Sequence, residues 1–303
     1  MIVDYVRLAF ATCVVLLPGF LIARALGQRS ASAAIAWAFL ALFVAWAVVF
    51  AVHGTIRLAA GILAGIGVSA GVIAVRGLVQ PEVVAVDDGD RPDPVSWGRR
   101  AVALAGVVFG IVLWRVEGAV TGDALFHEAR VRKLIDLSSL HLRSVDELAR
   151  GGLHPGYAFP LWHGFLALVA KVSRLDPSVV LHREASVLVP IAFVVAWEAG
   201  LAVFGSVTGG ISVLAASVAL YCLAAGHGGA YVSLALPATA SRQILVLAAF
   251  ALFFAYADSG RLSDLGALSA AFGAIVLVHP TYALFALIPL VAYSLIRWRD
   301  WKR

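Results

Sequence analysis

The side chains best suited to chemistry in this sequence are concentrated between positions 119 and 159, a stretch termed the polar island. Its charged and histidine side chains are Asp123, His127, Glu128, Arg130, Arg132, Lys133, Asp136, His141, Arg143, Asp146, Glu147, Arg150 and His154. Carboxylates and imidazoles can transfer protons near neutral pH, and cations can stabilise a departing anion. The polar island is therefore the predicted functional region.

One helix of the polar island places several of these groups on a common face. Thr121 or Asp123 is a suitable N-cap, and the pattern predicts a helix that ends at about Ile135. On that helix Asp123, His127 and Arg130 are spaced i, i+4 and i+7, so they share one face. Asp123 is the candidate carboxylate for taking a proton from a substrate. A structural cap is the alternative role for Asp123.

The rest of the polar island contains two further structural signals. Glu128 and Arg132 form an i,i+4 pair on another helix face. Residues 144–147 (SVDE) match a capping box, which predicts a second short helix and structural roles for Asp146 and Glu147. Residues 154–157 (HPGY) then predict a turn back toward the apolar sequence.

A divalent metal ion is a further hypothesis for this region. Asp123 and His127 share a face, and His154 could supply a third ligand from the following turn. Carboxylate oxygen and imidazole nitrogen are common ligands of divalent metals. A site without metal is the alternative.

The elements that position these residues are membrane helices. The chain is 62% hydrophobic and 14% charged, with a mean hydropathy of +0.94, whereas soluble domains average about 45–50% apolar and about 25% charged residues. Its long apolar runs differ from the short alternating segments of a β-barrel. The formal charge of +5 lies mainly at loop ends, where membrane topology places it, and gives no indication of nucleic-acid binding.

The predicted fold class is an all-α polytopic membrane helix bundle with about nine transmembrane helices. The predicted spans are 5–24, 31–52, 57–76, 99–117, 184–204, 208–226, 241–257, 263–278 and 281–297. Residues 160–172 are too short for a crossing and are predicted to form an interfacial helix, on which His163 would contact lipid head groups. Basic residues then fall on the cytoplasmic side, which makes the loop 118–159 extracytoplasmic in a multi-pass cell-membrane protein.

The acidic, proline-containing segment 79–98 predicts a cytoplasmic linker. It separates a three-span unit, residues 1–78, from a six-span module, residues 99–303, that carries the polar island.

Three segments give the module a resemblance to a known family. Gly122-Asp123 opens the first long extracytoplasmic loop, and residues 154–162 (HPGYAFPLW) form a proline-and-aromatic segment before the predicted interfacial helix. Residues 176–186 (DPSVVLHREAS) place Arg183 at the entry to the next span. In these features, over about residues 99–297, the chain resembles the C-type membrane glycosyltransferases, which take sugars from polyprenyl-phosphate carriers.

The resemblance implies a glycosyltransferase of the cell envelope that moves a sugar from a polyprenyl-phosphate carrier to a saccharide, lipid or protein acceptor. Asp123 would be the catalytic carboxylate. The substrate-binding residues would be His127, Glu128, His154, Tyr157, Arg183, Arg242 and His279.

Two other hypotheses belong to different classes. A lipid-linked saccharide flippase or transporter would need polar groups deep in several spans, yet residues 31–52 and 199–226 carry no charge. A non-catalytic assembly subunit with a transferase-like scaffold is the second alternative.

Overall fold

The structure is a computed structural model that describes residues 2–79, 94–115, 122–146, 153–223 and 233–298. Within these ranges the chain is helical and contains no β-strand. The helices are α1 Ile2–Ala25, α2 Ala31–Ala51, α3 Ile56–Val79, α4 Pro94–Leu113, α5 Asp123–Asp136, α6 Leu142–Asp146, α7 Leu161–Ser173, α8 Pro177–Phe204, α9 Val207–Leu223, α10 Pro237–Ala240, α11 Val246–Ser259, α12 Leu262–Val278 and α13 Pro280–Arg297. A π-helical turn, Ser241–Leu245, joins α10 to α11. The all-α prediction is confirmed for this part of the chain.

In the part of the chain that the structure describes, six helical segments are long and apolar enough to cross a membrane, which supports the membrane class; the segment Pro237–Ser259 comprises α10, the π-helical turn and α11. They are Ile2–Ala25, Ala31–Ala51, Ile56–Arg76, Pro177–Phe204, Pro237–Ser259 and Pro280–Arg297. The apolar helices α9 and α12 have 17 residues each, which is at the short limit of about 17–25 residues for a crossing. The count of about nine transmembrane helices stays a prediction.

Polar contacts define the end of the bundle that carries the polar island, termed the island end. The start of α1 lies here, because Arg7 donates a hydrogen bond to the Arg174 carbonyl at 3.2 Å. The α2–α3 turn also lies here, because the Leu140 N–H donates to the Gly54 carbonyl at 3.0 Å. The junction of α12 and α13 lies here as well, because the ring of His279 is 5.8 Å from that of Tyr157 between centroids.

At the opposite end, Glu198 of α8 fastens the beginning of α2. Its carboxylate accepts the backbone N–H groups of Ala31 and Ser32, each at 2.9 Å, and lies 3.3 Å from the guanidinium of Arg99. Arg99 also donates to the Arg29 carbonyl. Basic residues that the sequence predicts on one side of the membrane are therefore neighbours in the structure.

The short helix α7 lies inside the bundle, which corrects the prediction of an interfacial position. Residues 161–170 are all buried, among contacts with α1, α2, α5 and α8. The Trp162 indole donates to the Ala235 carbonyl at 2.7 Å and stacks on Phe39 at 5.5 Å between ring centroids. An interfacial helix would keep one face exposed to head groups. Apart from His163, residues 161–170 are apolar around the whole circumference of the helix, so burial on all sides is favoured.

The predicted division at the linker does not separate two hydrophobic cores. Buried residues of α1 and α2 belong to the same core as those of α7, α8, α11 and α12. Residues 80–93 of the linker, together with Thr121, Glu147 and Arg150 of the polar island, lie outside the described residues.

Candidate functional site

Asp123 is the first residue of α5, and its side chain is 78% exposed at the island end. The N-cap position is occupied by Gly122, whose φ of 58° is in the left-handed region that favours glycine. The prediction that Asp123 caps the helix is therefore wrong, whereas the predicted helix end near Ile135 agrees with the observed end at Asp136. The Asp123 carboxylate is left available for other partners.

The nearest partner of Asp123 is His127, one turn further along α5. Asp123 Oδ2 lies 3.3 Å from His127 Nε2, as the i,i+4 spacing predicts. The imidazole of His127 is 1% exposed, so an exposed carboxylate contacts a buried ring. Burial lowers the pKa of His127 to about 4, although the Asp123 carboxylate acts in the opposite direction. His127 is therefore neutral at pH 7.

A second buried histidine, His163, completes a row of side chains that begins with Asp123 and His127. His127 Nδ1 lies 2.8 Å from His163 Nε2, and the two rings are stacked with centroids 5.1 Å apart. Burial also lowers the pKa of His163. Between two neutral imidazoles one nitrogen donates and the other accepts, so the bond fixes a complementary pair of tautomers.

His163 is the residue whose role the sequence analysis missed. It was predicted to contact head groups, but it is 1% exposed and belongs to the site. The available signal was its position in α7, whose sequence has no polar face on which a histidine could reach solvent.

Tyr157 is the centre of a group of aromatic rings, termed the ring cluster, that includes His127 and His163. Its ring centroid lies 5.1 Å from that of His154 and 5.8 Å from that of His279. Burial and the Asp123 carboxylate raise the pKa of Tyr157 to about 12. Three predicted binding residues, His127, His154 and His279, thus surround the fourth, Tyr157.

A buried ion pair holds the turn that carries His154 and Tyr157. Arg130 Nη1 lies 3.0 Å from Asp146 Oδ1, with both side chains almost fully buried. Arg130 Nη2 donates to the Tyr157 carbonyl at 2.7 Å, and Asp146 Oδ2 accepts the backbone N–H of His154. Asp146 has a structural role, as predicted, but through Arg130 and the His154 N–H rather than through a capping box. The predicted helix start after Ser144 is wrong, because α6 already begins at Leu142. The ion pair fastens the turn to α5.

Glu128 lies in a separate ionic network on another face of α5. Arg132 lies 2.7 Å from Glu128 Oε1 and 2.6 Å from Asp176 Oδ1. Hydrogen bonding to Arg132 and to the Ser178 N–H lowers the pKa of Asp176 to about 2. The predicted Glu128–Arg132 pair is present. Because this pair lies outside the ring cluster, the structure gives Glu128 a structural role and does not bring it to the other predicted binding residues.

The two arginines among the predicted substrate-binding residues, Arg183 and Arg242, differ in their surroundings. Arg183 donates to the Trp114 carbonyl, and its guanidinium lies 5.2 Å from the centroid of the Trp114 ring. Arg242 lies in the π-helical turn, and its Nε and Nη2 atoms have no hydrogen-bond partner within the described residues. Single π-helical turns occur frequently at functional sites.

His279, between α12 and α13, also has an unused polar atom. Its Nδ1 has no hydrogen-bond partner among the residues that the structure describes. Its ring lies 4.9 Å from that of Tyr282. Burial lowers the pKa of His279, and the Asp123 carboxylate acts in the opposite direction. His279 can therefore present a neutral ring nitrogen to a ligand.

The predicted metal site is not assembled in the described part of the chain. No group of three or more His, Cys, Asp or Glu side chains there is arranged to hold a metal ion. Asp123 and His127 are adjacent, but Nδ1 of His154 accepts the backbone N–H of Gly156 at 3.1 Å.

Comparisons with known proteins give no relative: no family model, no curated protein and no solved structure matches this chain. The fold and the site together describe a helical bundle of the membrane type with a carboxylate–histidine row and a ring cluster at one end.

Proposed function

We propose that the protein is a membrane glycosyltransferase that moves a sugar from a polyprenyl-phosphate carrier to an acceptor hydroxyl on the extracytoplasmic side. The observation that carries this proposal is the pairing of exposed Asp123 with buried His127 at the end of an apolar bundle. A lipid carrier keeps its chain in the membrane and its sugar at the edge, and a carboxylate at the end of an apolar bundle is suited to reach that sugar.

The proposed reaction uses Asp123 as the general base. The acceptor oxygen attacks the anomeric carbon of the donor sugar, and the bond from that carbon to the phosphate oxygen breaks. The hydroxyl proton passes to Asp123, and the bonding electrons leave with the carrier phosphate. A positioned carboxylate is sufficient because the acceptor is held against it and the leaving group is already an anion.

His127 and His163 would act on Asp123 rather than on the sugar. Because both imidazoles are buried and neutral, His127 can donate from Nε2 to Asp123 while its Nδ1 accepts from His163. This tautomer directs an N–H at the carboxylate and so orients it. Tyr157, His154 and His279 offer ring faces and polar atoms on which a sugar can be positioned.

The cations proposed for the carrier phosphate are Arg242 and Arg183. Arg242 is the better supported of the two, because two of its guanidinium nitrogens lack partners within the described residues. Arg183 would have to share its guanidinium with the Trp114 carbonyl. An arginine fork binds a phosphate through two parallel hydrogen bonds.

The test is sugar transfer in membranes supplied with polyprenyl-phosphate-linked sugars. Wild type should transfer label to an acceptor, and Asp123→Ala should not. Asp136→Ala is the matched control, since Asp136 is an exposed acid at the other end of α5. Transfer by neither wild type nor control would favour the non-catalytic subunit, and unaltered transfer by Asp123→Ala would exclude Asp123 as the base.

A further inference from the structure

A small pocket at the island end is lined by two cations that have no acidic partner within the described residues. Its volume is about 320 Å³, and its lining residues are Ile135, Ala170, Lys171, Arg174, Leu175 and Pro177. Among the described residues, the salt bridges include neither Lys171 nor Arg174. The volume is at the lower end of the roughly 300–1,000 Å³ typical of small-molecule sites.

The backbone at Arg174 argues against a purely structural explanation. A cation in the last turn of a helix is favoured by the helix dipole, and Lys171 already supplies one for α7. Arg174 instead follows the helix with a φ of 57°, in the left-handed conformation where glycine is usual. Non-glycine residues in this region occur where the side chain has a function or the surroundings enforce the strain.

The charged neighbours of the pocket have partners of their own. Arg7 donates to the Arg174 carbonyl at 3.2 Å, and its guanidinium is paired with Asp4 at 3.8 Å. The neighbouring acid, Asp176, is occupied by Arg132 at 2.6 Å and by the Ser178 N–H at 2.9 Å. Two cations over an apolar floor at the end of a membrane-type bundle are complementary to a phosphate group attached to a lipid.

We propose that this pocket binds the phosphate group of an anionic phospholipid, with Lys171 and Arg174 as its ligands. The site is lined by the α7–α8 connection and by Ile135, and it contains none of the residues of the Asp123 row. The inference therefore stands whether or not the protein transfers sugars.

The test is native mass spectrometry of the purified protein in neutral detergent with dioleoyl phosphatidic acid. Lys171→Gln/Arg174→Gly should raise the Kd for this lipid at least tenfold. Glycine relieves the left-handed backbone, so the variant should unfold at the same or a higher temperature than wild type. Arg57→Gln/Arg143→Gln, which removes two exposed cations at the same end, should change the Kd less than twofold.

Two further arms complete the design. Lys171→Gln alone leaves the backbone untouched and should still weaken binding several-fold. Millimolar inorganic phosphate that displaces the lipid would identify a general phosphate site, whereas retention of the lipid would identify the esterified head group as the ligand. The proposal would be overturned if wild type and both pocket variants bound the lipid with the same Kd and were displaced equally by phosphate.

Discussion

The contact between His127 and His163 determines how Asp123 can behave, because it fixes which imidazole nitrogen faces the carboxylate. A row of one exposed acid and two buried neutral histidines differs from a surface ion pair in its dependence on pH. Protonation of either ring would place a charge on a buried imidazole.

The first prediction concerns this pH dependence. In the folded protein the pKa of His127 is about 4, whereas an unfolded histidine titrates near 6.5. The unfolded state therefore binds more protons between these two pH values. The stability that neutral His127 contributes is fully present above about pH 6.5 and is lost as the pH falls toward about 4. In His127→Gln, the loss of stability over this pH range should be smaller by on the order of 3 kcal/mol.

Thermal unfolding in detergent between pH 7 and pH 4 measures the effect. His127→Gln should show a shallower fall of the unfolding temperature than wild type, and His141→Gln, an exposed histidine at the same end, should keep the wild-type slope. The same slope in all three proteins would contradict the neutral buried assignment.

The second prediction concerns the buried pair of Arg130 and Asp146. Arg130→Met leaves the Asp146 carboxylate buried without its cation, which should cost about 3–5 kcal/mol. Arg130→Met/Asp146→Leu should recover part of that loss, because no isolated charge remains. Chemical unfolding of wild type, Arg130→Met and the double variant tests this. If Arg130→Met were as stable as wild type, the pair would not stabilise the turn.

At the scale of the helix, close packing of α4 against α8 depends on two glycines one turn apart, Gly106 and Gly110. A Cβ added at Gly106 would lie 2.6 Å from Pro190 Cα, and one added at Gly110 would collide with the backbone of Ser186. Small residues at i and i+4 allow membrane-type helices to approach closely.

This arrangement gives the third prediction. Gly106→Leu should destabilise the protein by about 1–3 kcal/mol through overpacking. Gly61→Leu on α3 is the control, since a Cβ there would have no atom within 4 Å. Denaturation in detergent compares the two, and equal stabilities would show that α4 and α8 do not need the close approach.

The helices could be predicted because each is a local pattern: long apolar runs end at glycine, proline or charged residues, and Asp123 and His127 share a face by spacing alone. The position of α7 could not, because its shortness and terminal cations indicated the interface while its burial depends on six other helices. The contact between Tyr157 and His279 likewise joins distant segments, and no local pattern encodes it.

At the scale of the whole molecule, the contacts between helix ends sort the polar residues into two sets. The island end holds the ring cluster and the pocket with Lys171 and Arg174. The opposite end holds the network around Glu198 and the hydrogen bond of Gln28 to Asp264 at 2.9 Å. Basic residues at the second end favour its placement in the cytoplasm.

The fourth prediction is this orientation. In a background with the two native cysteines replaced, Ser138→Cys at the island end should react with an impermeant maleimide in intact cells. Asp258→Cys at the opposite end should react only after permeabilisation; both positions are exposed. The reverse pattern would show an inverted topology and would place Asp123 in the cytoplasm.

The central claim is that Asp123 is the general base of a sugar transfer, and Asp123→Asn tests it most directly. Asparagine retains the size of the side chain and can still accept a hydrogen bond from His127, but it cannot take a proton from an acceptor hydroxyl. The measurement is the initial rate of sugar transfer from a polyprenyl-phosphate donor, with unfolding temperature recorded on the same preparations. We predict a rate lowered by roughly 10²–10⁴-fold at nearly unchanged stability. A variant that transfers sugar at close to the wild-type rate would contradict the claim.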